Sequence, residues 1–360
     1  MNNLKYVGLD VHQASTSVAV HDSEGKVLMQ STIKTTPEAL RDLIRGLSGS
    51  VHVTFEEGTQ AAWLYDLIKP LVAEIIVCDP RRNRLLKSGN KGDRVDANKL
   101  AQLLRGGLLN AVYHGENSTR TLKELAHLYD CLVTDTTRVM NRIKALYRSR
   151  AVPCAGRDVY HARNRDRWLA KLSEPGVCIR ATFLYQELDQ LRQLRRDAKN
   201  GMLKEARRSS GFKILLRLPA LGPIRVPQII ASVGSPYRFH SKRQFWAYCG
   251  LAVVTRSSDD YRFVGSVVER RRRVVATRGL NQNFNRRLKR VFKAAALDGA
   301  SREPFLAHYQ KLIAKGIRPE LARLTLARKI AAVALAVWKK GDEFVELKLG
   351  SLSSSLSARS

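Results

Sequence analysis

The chain has 360 residues, 44% of them hydrophobic, which is enough for two or three cored domains and excludes disorder as its whole character. Its 63 Lys and Arg against 32 Asp and Glu give a formal charge of +31, a self-repulsion that calls for a polyanionic partner, nucleic acid first among them; ribosome-associated and membrane-surface proteins carry similar charge, so charge alone sets no chemistry. Five scattered cysteines without C-x-x-C spacing argue against a zinc ribbon or disulfide framework, and the longest apolar run, Ile330 to Trp338, is too short for a bilayer span.

Tyr6 to Val11, Ser17 to His21 and Lys26 to Thr35 read as three consecutive strands of an antiparallel meander, separated by short polar turns. A helix is expected from Pro37 to Leu47, a strand from Val51 to Glu56, a helix from Ala61 to Leu71 and a short strand from Glu74 to Cys78 that stops at Asp79 and Pro80. A further helix opens near Asp93 and continues through Leu104. The order β-β-β-α-β-α-β-α is the layout of the ribonuclease H-like fold, an α/β domain whose strand-end carboxylates hold divalent metal. The first twenty residues show no charged segment followed by an unbroken apolar stretch, so no signal peptide is visible and a cytoplasmic, nucleoid-associated location is expected.

Leu122, Leu125, Tyr129, Leu132, Thr136, Val139, Ile143 and Leu146 recur at steps of three and four, predicting a long helix with one seam. A second, from about Arg180 to Arg207, carries Leu184, Leu188, Leu191, Ala198 and Met202 on one face, with Arg195 interrupting. The two are expected to pair, either as a helical hairpin serving as a spacer or as a coiled coil joining subunits; residues 151 to 179 between them read as an irregular basic connection. From Ile214 onward the chain is expected to be helical and basic, ending in a disordered Ser-rich tail from Gly350. Within it, Leu218, Pro219, Ala220, Leu221, Gly222 and Pro223 precede a helix over Val226 to Val233, a helix-hairpin-helix-like turn whose free N–H groups suit a DNA phosphate; a plain helix–helix turn is the alternative. The expected domains are 1–115, 116–212 and 213–349, with the tail at 350–360.

Asp10 ends the first strand after Val7, Gly8 and Leu9, where a lone carboxylate is costly unless a cation holds it. Period-two alternation sets Glu56, rather than Glu57, on the face opposite Val51, Val53 and Phe55. Asp93 and Asp96 stand three apart on one helical face. Together the four could hold two Mg2+ ions about 4 Å apart, the arrangement used in phosphoryl transfer; singly, Asp96 reads equally as a helix cap and Asp93 as a partner of Arg94 or Lys99.

Ser257 and Ser258 lie in a polar turn beyond the aromatic segment Phe245 to Leu251, and such serines ordinarily only hydrogen-bond in turns. The context is the segment Tyr261 to Lys293, which holds eleven Lys or Arg and one acid, Glu269. Gly222, Arg256, Arg262, Arg270, Arg271, Arg272, Arg273 and Arg278 are the candidate nucleic-acid contacts, and they would place a nearby hydroxyl beside a phosphodiester.

The motifs Gly8-Leu9-Asp10-Val11, Phe55-Glu56-Glu57-Gly58, Lys91-Gly92-Asp93-Arg94-Val95-Asp96-Ala97, Leu218 to Pro223, Gly250-Leu251 and Ser257-Ser258 occur in an order that resembles the DEDD transposases of insertion sequences, relatives of the pilin-gene invertase described as bridge-RNA-guided recombinases. The resemblance covers roughly residues 4 to 105 and 213 to 300. It implies that Asp10, Glu56, Asp93 and Asp96 form an acidic tetrad in a domain like that of Holliday-junction resolvases. It also implies that Ser258 is a nucleophile forming a phosphoserine link to DNA, that the tetrad of one subunit meets the serine of another in a dimer or tetramer, and that a structured noncoding RNA pairs with donor and target DNA. The chain departs from the family at Asp259, where Gly is usual after the serine, at Val253 in place of Pro, and at Gly92 where Thr is common; Ser257 is the alternative nucleophile. Two other functions compete with this one, a junction-resolving nuclease that activates water and a non-enzymatic basic nucleic-acid-binding protein.

Overall fold

The computed structural model describes residues 4–80, 92–114, 119–256, 260–265, 267–271, 276–281 and 283–341. The chain divides into two compact units, Met1–Gly115 and Glu116–Ser360.

In the first unit β1 (Leu4–Val11), β2 (Ser15–His21) and β3 (Val27–Lys34) form the expected antiparallel meander, followed by α1 (Pro37–Arg45), β4 (Ser50–Glu56), α2 (Ala61–Ile68), β5 (Glu74–Cys78) and α3 (Asp93–Arg105). The strand order is β3-β2-β1-β4-β5, with β4 and β5 parallel to β1. This mixed α/β arrangement is consistent with the ribonuclease H-like layout. The helix expected to run to Leu71 ends at Ile68 and closes with a 3-10 turn, Lys69–Leu71, because Pro70 supplies no N–H to continue the ladder.

Alternation along the central strands assigns the two sheet faces. Val7, Leu9, Val18, Val20, Val53 and Phe55 pack with Leu40, Ile44, Leu64 and Ile68 of α1 and α2 in one apolar layer. The opposite face carries small residues, and there Ala19 packs with Ala97 and Ala101 of α3. Gly8 allows the approach: a Cβ at this position would sit 2.1 Å from the Ala97 carbonyl oxygen and 2.6 Å from the Ala101 nitrogen. On the same face His21, fully buried, pairs through Nε2 with Asn98 Oδ1 of α3.

The second unit begins with α4 (Arg120–Arg148). Next come α5 (Arg165–Leu169) and α6 (Pro175–Ala206). The two long helices pack antiparallel within the chain: Leu122 and Ala126 share a core with Met202 and Ala206, whereas Val139, Ile143 and Tyr147 meet Ala181, Leu184 and Leu188 at the other end. The connection between them is more ordered than its composition suggested. Val159, Tyr160, Trp168 and Leu172 are buried against the helix pair, and Asp158 accepts hydrogen bonds from Asn164, Arg167 and Trp168. Burying aromatic side chains of this size stabilises by roughly 1.5–3 kcal/mol each, which outweighs the Pro and Gly breaks in the sequence.

The helices α7 (Ser210–Leu216), α8 (Arg225–Val233) and α9 (Lys242–Tyr248) follow. Four short strands come next, β6 (Val253–Arg256), β7 (Asp260–Val264), β8 (Val267–Arg271) and β9 (Ala276–Leu280), before α10 (Arg286–Gly299), α11 (Phe305–Ala314) and α12 (Pro319–Lys340). The helical expectation for residues 253–280 is therefore corrected: β6 pairs with β9 and β7 with β8, both antiparallel. Val253, Val254, Thr255, Val264, Val267, Val268 and Thr277 are β-branched and favour extended backbone. The remaining helices are held by one core containing Phe292, Phe305, Ile330 and Trp338, which also takes in Leu122 and Met202 of the long pair. The tail expected at 350–360 lies outside the described residues. Among the described residues no helix is long and apolar enough to cross a membrane.

Candidate functional site

The close packing of α3 on β1 decides where the first unit's acids fall. Asp10, on the same strand face as Gly8 by alternation, sits at the strand end beneath the first turn of α3, which carries Asp93 and Asp96. Oxygens of Asp10 and Asp93 and the ring of His12 come within 4.8 Å of one another, a spacing at which three such side chains could share a metal ion. His12 Nε2 is 3.3 Å from Asp10 Oδ2 and 3.5 Å from Asp93 Oδ1. Burial pushes the Asp10 carboxyl above its ordinary pKa; His12 opposes that shift, and the charges of Asp93 and Asp96 add to it. Asp96 lies 3.8 Å from Lys99 Nζ, and its Oδ1 is buried with no hydrogen-bond partner. A half-buried carboxylate repelled by two others, with an Asp93 oxygen and the His12 ring nitrogen close by, is a donor set that a divalent cation fits.

Glu56 ends β4. The parallel register, with Tyr6 opposite His52, Gly8 opposite Thr54 and Leu9 opposite Phe55, brings Asp10 and Glu56 to the ends of adjacent strands on the α3 face. Glu56 is exposed and is not part of the closest group. Glu57 is occupied elsewhere: its carboxylate is 2.6 Å from His114 Nε2, and that ring stacks on Tyr65. His12 was absent from the sequence-based set. Its signal was available, since it lies two residues beyond Asp10, but an isolated histidine at a strand end is common.

In the second unit the Leu218–Pro223 segment joins α7 to α8, with Ala220 in left-handed backbone (φ 71°). Gly222, Pro223, Ile224, Arg225, Gln228 and Arg290 line a cleft of about 400 Å³ beside this turn. Arg290 and Ala294 also line a neighbouring cleft of about 660 Å³, with Arg286, Lys289, Lys293, Leu297, Glu320, Arg323 and Leu324. Four cations thus stand at three- and four-residue steps along α10 against one acid, Glu320. Burial, with the neighbouring charge of Lys293, pushes Lys289 below the usual lysine pKa, and its Nζ rests 4.1 Å from the centre of the Phe284 ring. Asp130 anchors the base of α10: it accepts from Gln228 of α8 at 2.8 Å and Arg287 at 2.6 Å, and pairs with Arg290 at 2.8 Å.

Arg256, Arg262, Arg270, Arg271 and Arg278 belong to the four short strands, with Arg262 opposite Glu269 and Arg271 opposite Asp260 in register. Arg272 and Arg273 lie outside the described residues, as do Ser257, Ser258 and Asp259, which fall in sequence between β6 and β7. The turn leading into this segment needs glycine at Gly250, where φ is 67° and a Cβ would meet the Phe284 ring at 2.4 Å.

Two family models match the chain. One, described as Transposase and of the DEDD type of IS110, covers residues 7–149; the other, described as Transposase IS116/IS110/IS902 family, covers residues 212–310. Together they span about two thirds of the chain. Putative transposase y4qE of Sinorhizobium fredii (strain NBRC 101917 / NGR234) is 30% identical over 130 residues, 33% of this chain, and the chain spans about a third of that relative's length (32%).

Proposed function

The chain belongs to the IS110 family of transposases, and from that premise we propose that it cleaves and rejoins DNA strands at the ends of a mobile element through a covalent phosphoserine intermediate. The observation that carries the metal-assisted part is the convergence of Asp10 with the first turn of α3, which sets an Asp10 oxygen within 4.8 Å of an Asp93 oxygen while their charges repel. In this reading Asp10, Glu56, Asp93 and Asp96 hold a divalent metal, Mg2+ in the first instance, in a ribonuclease H-like domain. The bound ion supplies charge neutralisation at a phosphodiester.

Ser258, or Ser257 in its place, supplies the nucleophile. Its Oγ forms a bond to phosphorus as the bond to one DNA strand end breaks; the serine proton leaves and the departing DNA oxygen becomes a hydroxyl. A hydroxyl from the partner duplex then attacks the phosphoserine and releases the serine. One ester bond forms for each broken, so no ATP is required, and the chain has no P-loop pattern. The clefts lined by Arg225, Arg286, Lys289, Arg290, Lys293 and Arg323, together with the arginines of the short strands, are the surfaces for nucleic-acid backbone. A structured noncoding RNA pairing with donor and target DNA, and a homo-oligomer in which the acids of one subunit serve the serine of another, complete the proposal.

The test of the metal site is DNA cleavage by Asp10→Asn with element-end DNA and Mg2+. Loss of cleavage with DNA binding retained is expected. Wild-type cleavage by this variant contradicts a catalytic role for the acidic group.

A further inference from the structure

His12 is held more firmly than its half-exposed ring suggests. Its N–H donates to the Ser15 carbonyl at 2.9 Å, and its own carbonyl accepts from the Thr35 hydroxyl at 2.9 Å, which in turn is 2.9 Å from the Thr16 hydroxyl. The turn between β1 and β2 is thereby fastened to the start of β2 and the end of β3, and the ring projects between the carboxylates of Asp10 and Asp93. Its distances to them, 3.3 and 3.5 Å, are long for direct N–H···O hydrogen bonds, which cluster at about 2.7–3.2 Å. They fall in the range of donors that share an ion: ligands about 2.0–2.2 Å from a common centre stand about 2.8–3.1 Å apart at right angles and about 3.3–3.6 Å apart as the angle opens to tetrahedral.

We propose that His12 is a nitrogen ligand of the divalent ion held by Asp10 and Asp93, and that it shifts the preference of the site from Mg2+ toward first-row transition ions such as Mn2+. The proposal rests on the metal-binding reading of the acidic group and adds to it the donor that the four carboxylates lack. Mg2+ takes oxygen ligands and gives up its water reluctantly, whereas imidazole nitrogen suits the first-row transition ions. Coordination through Nε2 uses the neutral ring with its proton on Nδ1, which the half-exposed position leaves free to donate to water.

The experiment measures metal binding by the full chain, without DNA and without reference to cleavage. Metal-free protein is titrated with Mn2+ and with Mg2+, and the Mn2+-loaded protein is examined by electron spin echo spectroscopy for coupling to nitrogen. Wild type, His12→Ala, His12→Gln and Asp10→Asn are compared, with circular dichroism confirming that each is folded. We expect nitrogen coupling in wild type that both His12 variants abolish. Mn2+ affinity should fall about tenfold or more in those variants, with Mg2+ affinity changed far less. Mn2+ bound to wild type without nitrogen coupling, and lost in Asp10→Asn, overturns the role of His12 and leaves the carboxylate site standing. Failure of wild type to bind either ion, or binding indifferent to Asp10→Asn, overturns the metal-site reading and this inference with it.

Discussion

Gly8 of β1 and Ala97 of α3 lie so close that a methyl group on the glycine would come within 2.1 Å of the alanine carbonyl oxygen. That contact sets the height of α3 above the sheet, and with it the distance from Asp10 to Asp93. Backbone atoms of a helix cannot step aside as a flexible side chain can, so Gly8→Ala must push the helix away. We expect a loss of about 1–3 kcal/mol in unfolding free energy together with weakened metal binding, read by urea denaturation and metal titration. An unchanged denaturation midpoint contradicts the close packing.

The acids proposed to hold the metal should also weaken the metal-free protein. Asp10 is pushed above its ordinary pKa by burial and by Asp93 and Asp96, so its ionised form opposes folding when no cation is bound. Asp10→Asn removes that charge and keeps the shape. The metal-free variant is expected to melt higher than wild type by about 1–4 °C, an advantage that excess divalent ion erases by stabilising wild type alone. A lower apo melting temperature for the variant contradicts the electrostatic reading.

The sequence-based reading recovered the first unit almost element by element because its signals are local: strand alternation, short polar turns and Pro37 at a helix start; the stop at Pro70 was overrun by three residues. The acids stood out as candidates for the same reason, since a carboxylate after an apolar strand violates its surroundings, and the fold brings two of them, Asp10 and Asp93, together. His12 did not, because its nearness to Asp10 and Asp93 depends on a turn folding back between β1 and β2 and on a helix eighty residues away. The short strands of residues 253–280 were missed because arginine runs mask the period that Val and Thr would otherwise show. Residues 151–179 were read as irregular because Pro153, Gly156 and Pro175 dominate the local pattern, while the burial of Tyr160 and Trp168 depends on the partner helices.

The helix pair carries its own pH signature. The Arg165 hydrogen bond, aided by the charges of Arg165 and Arg192, holds the Asp189 carboxyl below its ordinary pKa despite some burial. A carboxylate with a depressed folded-state pKa contributes stability above its unfolded value of about 3.9, and that contribution is lost as pH falls through the folded-state value. Asp189→Asn should therefore lower the urea midpoint at about pH 6, with a smaller difference from wild type at about pH 2.5. An equal difference at both pH values contradicts the linkage.

The cationic face of α10 predicts a salt response. Arg286 and Lys293 line the cleft beside Arg290 and Lys289, and each phosphate they neutralise on duplex DNA contributes about 0.9 to the log-log slope of affinity against salt. The double variant Arg286→Gln, Lys293→Gln should bind DNA more weakly and with a slope shallower by about 1–2, measured by fluorescence anisotropy across salt concentrations. A wild-type slope places the DNA backbone on another surface.

The covalent step is the centre of the account, and a denaturing gel tests it most directly: protein, element-end DNA, RNA transcribed from the flanking noncoding region and divalent metal, with wild type beside Ser258→Ala, Ser257→Ala and Asp10→Asn. The account predicts a protein–DNA adduct in wild type that is absent in Asp10→Asn and in one of the two serine variants, with the linkage mapping to that serine. DNA cleaved without any adduct, at the same rate in both serine variants, contradicts it and identifies activated water as the nucleophile.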